Sequence, residues 1–334
     1  MFALVRRIAE YKGKQDLFKE QRADVLRVLK DNATIQSTES SNRIEGITAT
    51  RERMDELMLR DGLPNNRPES EIVGYRNVLK LIHDSHENIP FTLNDVRFFH
   101  GRLFWFAANF GGHWKNTAND ITEDRDGTKI VRFRTVAPYM VQPEMERLHE
   151  QYQAAFEKPN AEPLLLIPSY VLDFLCIHPF LDGNGRMARL LSLLLLCKSG
   201  YEVGRYISLE RIIEQTKADY YETLLRSSIG WHENEHDLMP WLEYFLGVML
   251  SAYQEFERRV LEHHDSKSLK RDTVLDAIND LPARFRFSDV QQACPAISAI
   301  TIRRALRQLS KYKRIKCIRK GRDATWEKTQ EWSS

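Results

Sequence analysis

One segment constrains this chain more than any other: His178-Pro179-Phe180-Leu181-Asp182-Gly183-Asn184-Gly185-Arg186-Met187-Ala188-Arg189. A helix beginning near Pro168 must stop at His178, because Pro179 cannot continue it. Asp182 to Gly185 then reads as a turn whose two glycines can take positive φ and leave backbone N–H groups unobstructed. A second helix starts from that turn, and its first N–H groups carry partial positive charge. Turn and helix N-terminus together make an anion-binding nest. Arg186 and Arg189, three apart on the new helix, project from one face just beyond the nest. A base candidate (His178), a hard oxygen ligand for Mg²⁺ (Asp182), a phosphate cradle and two arginines thus fall together, the parts of phosphoryl-type transfer without a P-loop. Taken singly, the histidine reads as a cap or core residue, Asp-Gly as a plain turn and the arginines as a solvated face. A structural loop gains nothing from the whole set.

The segment resembles the signature of the Fic family, His-x-Phe-x-Asp/Glu-Gly-Asn-Gly-Arg-x-x-Arg, at every specified position. The resemblance extends over roughly residues 30 to 250 and takes in His100, Gly112 to Lys115 and Tyr220-Tyr221; Lys115 stands where the family pattern leads one to expect Arg. It implies a mainly helical fold with a β-hairpin flap, about Ile130 to Thr135, that aligns a target segment. It also implies protein adenylyltransferase activity, with ATP as substrate, Mg²⁺ as cofactor and a Ser, Thr or Tyr hydroxyl of a target protein, or of the chain itself, as acceptor. His178 would be the general base, and Asp182 would hold Mg²⁺. Gly183, Asn184 and Gly185 would cradle the phosphates, Arg186 would grip the leaving pyrophosphate, and Arg189 would reach the γ-phosphate. Tyr220 and Tyr221 would lie near the adenine. Phe180 is read as a core anchor for the loop.

Upstream, Ser41-Asn42-Arg43-Ile44-Glu45-Gly46 fits the family's inhibitory pattern, Ser/Thr-x-x-x-Glu-Gly/Asn. Ser41 and Glu45 share a helix face and Gly46 is a natural helix terminator. The resemblance implies that Glu45 pairs with Arg189 and occupies the space of the γ-phosphate, which places this chain with the members that carry an N-terminal inhibitory helix.

Elsewhere helix signals dominate. Good helix formers fill Leu17 to Leu29, Arg51 to Leu59 and Ser70 to His83, and Asp61-Gly62-Leu63-Pro64-Asn65-Asn66-Arg67-Pro68 breaks the pattern between helices. Thr92 reads as an N-cap. Asp126-Gly127 sits between two short runs, of which Lys129 to Arg134 partly alternates, and predicts a small hairpin. Further helices are expected at Pro143 to Phe156, Pro168 to Ile177, Asn184 to Lys198, Leu209 to Arg226 and Asp237 to His263. Lys plus Arg number 49 against 47 Asp plus Glu, a net charge of +2 that selects no partner class by itself. No apolar run is long enough to span a membrane, the start lacks a signal-peptide layout, and the four cysteines have no metal-finger spacing. These features point to the cytoplasm and to no membrane partner.

The last part differs. Residues 301 to 322 hold ten Lys or Arg and no acid. Ser288-Asp289-Val290 followed by Ile297 to Leu309 reads as helix, turn, longer helix, with a β-like tail that could form a wing. A winged helix-turn-helix would face DNA through residues 298 to 322; the alternative is a protein-interaction or dimerisation module with a basic solvated face. The expected architecture is therefore mainly α: an N-terminal helical region (1 to 90) with an inhibitory helix at about 34 to 46, a Fic catalytic core (91 to 250) with its small flap, a helix end and linker (251 to 270), and a winged-helix domain (271 to 334). A homodimer is a further expectation. Transfer of another phosphate-containing group, removal of AMP, and a nucleotide-sensing transcriptional regulator are the alternative functions.

Overall fold

The first third of the chain is built from helix formers and folds as α1 (Phe2–Gln21), α2 (Ala23–Ile44), α3 (Arg51–Leu59) and α4 (Arg67–Ser85) in a computed structural model. The structure describes every residue except 60, 61, 107–110, 126, 127, 263–265, 296, 320, 322, 323, 330, 331, 333 and 334. Next comes α5 (Leu93–Leu103), which starts where Thr92 and Asp95 cap each other reciprocally. Antiparallel strands β1 (Ile121–Arg125) and β2 (Thr128–Phe133) form the expected small hairpin, with Arg125 opposite Thr128. Its Asp126-Gly127 turn lies outside the described residues, as does Asp61 of the earlier break. Helices resume as α6 (Val141–Phe156), α7 (Pro163–Ile177), α8 (Asn184–Lys198), α9 (Leu209–Gln215), α10 (Lys217–Ser228) and α11 (Met239–Glu262).

Three helices differ from the sequence pattern, each for a local reason. The run Leu17 to Leu29 is divided at Arg22, where φ is −134° and ψ 35°. The division lets α1 lie along α11, with Tyr11 stacked on Tyr253 and Phe18 edge-on to Phe256, while α2 turns onto α4 and α9. α7 starts at Pro163 and carries Pro168 inside it. Burial of Leu164 and Ile167 offsets the lost N–H, and the Pro168 carbonyl accepts the indole N–H of Trp241 at 2.8 Å. The stretch Leu209 to Arg226 breaks at Thr216, whose hydroxyl turns back to the Ile212 carbonyl at 2.9 Å and meets the Tyr244 hydroxyl at 2.8 Å.

α8 is the central element. Met187, Ala188, Leu190, Leu191 and Leu193 to Cys197 are all buried, as are Arg186 and Arg189, so the helix is enclosed by its neighbours α2, α4, α5 and α7. Cys176, Cys197 and Cys294 are buried free thiols, and burial pushes Cys197 and Cys294 up to about 12. Among the described residues no helix is long and apolar enough to cross a membrane.

The C-terminal unit comprises α12 (Ser266–Asp280), β3 (Arg284–Arg286), α13 (Phe287–Ala293), α14 (Ala299–Lys311), β4 (Ile315–Arg319) and β5 (Thr325–Lys328). Its sheet has the order β3-β5-β4 and is antiparallel. A separate core, including Val274, Ile278, Phe285, Val290, Ile302, Leu306 and Ile315, holds it together. Within the expected stretch 251 to 270, α11 continues to Glu262 and α12 begins at Ser266, while 263–265 lie outside the described residues. The unit packs on the rest of the protein through α12 against α2 and α13 against α3.

α4 and α5 cross so closely at Gly74 that an added Cβ would overlap the Leu103 carbonyl. A backbone atom cannot swing aside as a side chain can. Gly74→Ala is therefore expected to lower unfolding stability by about 1–3 kcal/mol, measured by urea denaturation. An unchanged midpoint would mean that the two helices are not held in this contact.

Candidate active site

His178 is the C-cap of α7 in the left-handed region (φ 53°, ψ 59°), rare for a residue with a Cβ. The following Pro179 disfavours helical backbone at this position, and the chain is held after the turn by buried bonds. The His178 N–H donates to the Phe174 carbonyl at 2.9 Å, and the Pro179 carbonyl accepts the Lys115 N–H at 2.8 Å. Asn184 closes the loop on itself: its side chain accepts the Phe180 N–H at 2.9 Å and donates to the Phe180 carbonyl at 2.7 Å. Phe180 has no exposed surface and is the core anchor expected, its ring stacked on His100 at 3.7 Å between centroids. Gly183 takes the expected positive φ of 79°, whereas Gly185 does not, because it already lies in the first turn of α8. What Gly185 contributes is the absence of a side chain: an added Cβ would overlap Oε1 of Glu45.

The two arginines of the loop are buried, and they point to different helices. Arg186 donates to Glu71 of α4 at 2.6 Å; Glu71 also accepts from Arg67 at 2.6 Å, and Arg67 reaches Asp182 at 2.8 Å. Arg189 donates to the Ser41 hydroxyl at 2.8 Å, the Ser41 carbonyl at 2.9 Å and the Glu45 carboxylate at 2.7 Å. Ser41, Glu45 and Arg189 thus meet as the sequence pattern required. α2 stops there because Glu45 caps it and Gly46 takes φ 76°, and Lys217 donates to the Ile44 carbonyl at 2.7 Å. The Glu45 carboxylate lies against Gly185, at the N-terminal turn of α8, where an anion is favoured by dipole and free N–H groups. Buried N–H groups of Arg189 (Nη1) and Arg186 (Nε) have no hydrogen-bond partner, which leaves donors for further anionic oxygen.

Tyr220 is buried beneath this arrangement, packed on Trp241 and Tyr244. Tyr221 keeps 44% of its surface exposed beside it and offers an open ring, with the Lys217 ammonium 5.8 Å from the centroid. The hairpin continues into Arg134, whose carbonyl meets His232 Nε2 at 2.7 Å. Lys115, which replaces the expected Arg, ties the hairpin to the loop: its ammonium donates to Thr135 and Asn119 at 2.7 Å and to the Ile177 carbonyl at 3.3 Å. Burial pushes that ammonium down to about 8. Arg67, Glu71, Asn119 and Thr135 are site residues that no motif announced. A mid-helix Glu and a post-turn Arg look like ordinary surface residues until α4 is placed over α8.

Asp182 is the one loop carboxylate, half exposed, and its Oδ1 also accepts the Gly183 N–H at 2.6 Å. No group of three metal-ligating side chains occurs among the described residues. A single exposed carboxylate beside unpartnered guanidinium N–H groups still suits a hard divalent cation that completes its shell with phosphate oxygens and water.

His100 fixes the turn by its tautomer. Its Nδ1 accepts the Gly112 N–H at 2.9 Å, so the proton sits on Nε2, which donates to the Asp182 carbonyl at 3.1 Å. A second proton would face a donor. Burial pushes His100 down to about 4, and buried His83 down to about 3. Below about pH 6.5 the unfolded chain takes up these protons and the folded one does not. Stability is therefore full above that pH and falls as pH drops toward 4, by about 1.4 kcal/mol per pH unit for each histidine. Urea denaturation at stepped pH checks this, and the slope should shrink in His100→Gln; equal slopes would mean that His100 is not held neutral.

Comparison with known proteins places this geometry. Residues 90–196 match the Fic/DOC family. Protein adenylyltransferase fic-1 of Caenorhabditis elegans is 26% identical over 190 residues, a stretch covering 53% of this chain but only 32% of that protein. A Fido domain-containing protein of Dictyostelium discoideum is 26% identical over 121 residues, 36% of this chain and 80% of that one. Among solved structures, a Fic family protein from Desulfovibrio desulfuricans superposes with a TM-score of 0.63 at 22% identity, over 98% of this chain and 95% of its own. Fic-1 of C. elegans superposes with a TM-score of 0.58 at 21% identity, over 76% of this chain and 70% of that one. At these identities the structural likeness shows the fold.

Proposed function

Since residues 90–196 form a Fic/DOC family domain, we propose that this chain transfers AMP from ATP to a hydroxyl of a protein, itself included, and that Glu45 holds the transfer in check. The observation that carries the reading is the complete set from His178 to Arg189, assembled around a nest in which a carboxylate already takes the anion's place.

His178 has the protonation state a base needs. Its Nδ1 lies 3.1 Å from the Leu175 carbonyl, an acceptor only, so Nδ1 carries the hydrogen and Nε2 keeps its lone pair. Burial pushes the imidazole down to about 4, and the Lys115 charge acts in the same direction against the Leu175 bond. In the proposed step the target hydroxyl oxygen bonds to the α-phosphorus. The bond to pyrophosphate breaks with its electron pair on the leaving oxygen, and the hydroxyl proton passes to Nε2. The nest of Gly183 to Gly185 and the spare guanidinium N–H groups of Arg186 and Arg189 stabilise the phosphate charge. A Mg²⁺ ion held by Asp182 would neutralise part of that charge when bound. Tyr221 has the exposed ring to border an adenine, with Tyr220 supporting it from beneath. Among the described residues no third strand pairs with the hairpin, and such an edge suits an extended target segment.

His178→Ala is expected to leave ATP binding largely intact while lowering AMP transfer by about two to four orders of magnitude. Transfer by the intact loop should stay level from about pH 8 to about pH 5.5, because the base remains neutral there; a half-maximal point near the ordinary histidine value of about 6.5 would argue against it. Labelled ATP and a stepped pH series measure both.

Glu45 pairs with Arg189 where a γ-phosphate would need that arginine, so two anions compete for one cation. Glu45→Gly should raise AMP transfer by about tenfold or more, the equivalent of about 1.4 kcal/mol. Arg189→Ala should not imitate it, and the double variant should resemble Arg189→Ala, a non-additive result expected of residues sharing one site. The comparison is made at equal protein concentration on folded variants, scoring self-modification and transfer to lysate separately. Equal or lower activity in Glu45→Gly would remove the inhibitory role.

A further inference from the structure

α14 separates its residues by chemistry more sharply than any other helix of the chain. Ile302, Ala305, Leu306 and Leu309 are buried in the C-terminal unit's core. On the opposite side Ile300, Arg303, Arg304, Arg307 and Lys311 are exposed, at the spacing of a single helix face. The helix holds no acidic residue, and its four cations have no ion-pair partner among the described residues. Arg303 is steadied from below, its guanidinium 4.8 Å from the Phe287 ring centroid. Two more exposed cations, Lys316 and Arg319, extend the field along β4. The unit rests on α2 and α3 through α12 and α13, while α14 packs on α12, α13 and β4 of its own unit. The cationic face therefore needs no undocking to meet a partner.

We propose that this face binds duplex DNA, with α14 seated in the major groove and β4 beside it on the backbone. The chemistry selects a polyanion, since adjacent like charges repel until phosphates neutralise them. The shape selects B-form DNA: a helix about 10–12 Å across fits its major groove, about 12 Å wide, and is excluded from the deep narrow groove of duplex RNA. α13 ends at Ala293 and α14 begins at Ala299, where Ser298 caps it by accepting the Thr301 N–H at 3.3 Å. The helix start, with Ile300 68% exposed, is thus presented outward, where the second helix of a helix-turn-helix reads bases. The proposal does not depend on the Fic loop's chemistry.

The test uses the full chain and a fluorescein-labelled random-sequence 25-base-pair duplex (about two helical turns), followed by anisotropy. If about four phosphates are contacted, affinity should fall about a hundredfold between roughly 50 and 200 mM salt. Arg304→Ala with Arg307→Ala should weaken binding about tenfold or more at low salt and reduce the salt slope by about two. Both residues are exposed, so folding should survive, and self-modification should be unchanged. Absence of duplex binding at low salt, binding that the double variant leaves intact, or equal binding to duplex RNA or to phosphatidylserine vesicles would each overturn the proposal.

Discussion

Arg189 is a full positive charge buried at the meeting of α2 and α8, and leaving such a charge unpaired costs several kcal/mol. Burial alone would weaken its hold on the proton; Glu45 beside it more than offsets that and keeps the guanidinium charged. The end of α2 is therefore bound to the start of α8 by the need of one cation for one anion. Ser41 contributes a hydroxyl and a carbonyl to the same guanidinium, so the register of α2 is set by three bonds rather than one. In the proposed reaction the same requirement is met by phosphate, and the two solutions exclude each other in space. Under that proposal inhibition needs no separate device, since it would follow from the solvation of a buried charge.

The rest of the loop is arranged in the same way, by partners far away along the chain. Glu71 answers Arg186 and Arg67, and Arg67 in turn holds Asp182. His100 and Phe180 stack under the turn, and Lys115 joins the hairpin's end to the residue before His178. Each bond removes freedom that the reacting groups would otherwise lose at the moment of transfer. The left-handed backbone at His178 is tolerated because these contacts over-determine it.

The C-terminal unit rests on the outer side of α2, the helix that carries Ser41 and Glu45. Its own buried core is separate from that of the helical region it rests on. The charge balance of the whole chain conceals this division: a net +2 averages the mixed surface of the helical core with the cationic face of α14.

What the sequence by itself determined is local. Pro179 after His178, the glycine at 183, the Ser41–Glu45 spacing, the Thr92 cap and the one-sided charge of α14 are short-range features, and each is governed by backbone sterics or helix periodicity. What only the tertiary structure decided is which distant groups answer them. Nothing near Glu71 distinguishes it from a solvent-facing acid, Gly185 needs no positive φ yet a Cβ there would displace the Glu45 carboxylate, and Pro168 sits inside a helix that a proline would ordinarily end. These outcomes depend on the approach of α4, α2 and α11, because burial turns an ordinary side chain into one that must find a partner, and the partner lies beyond the reach of any local pattern.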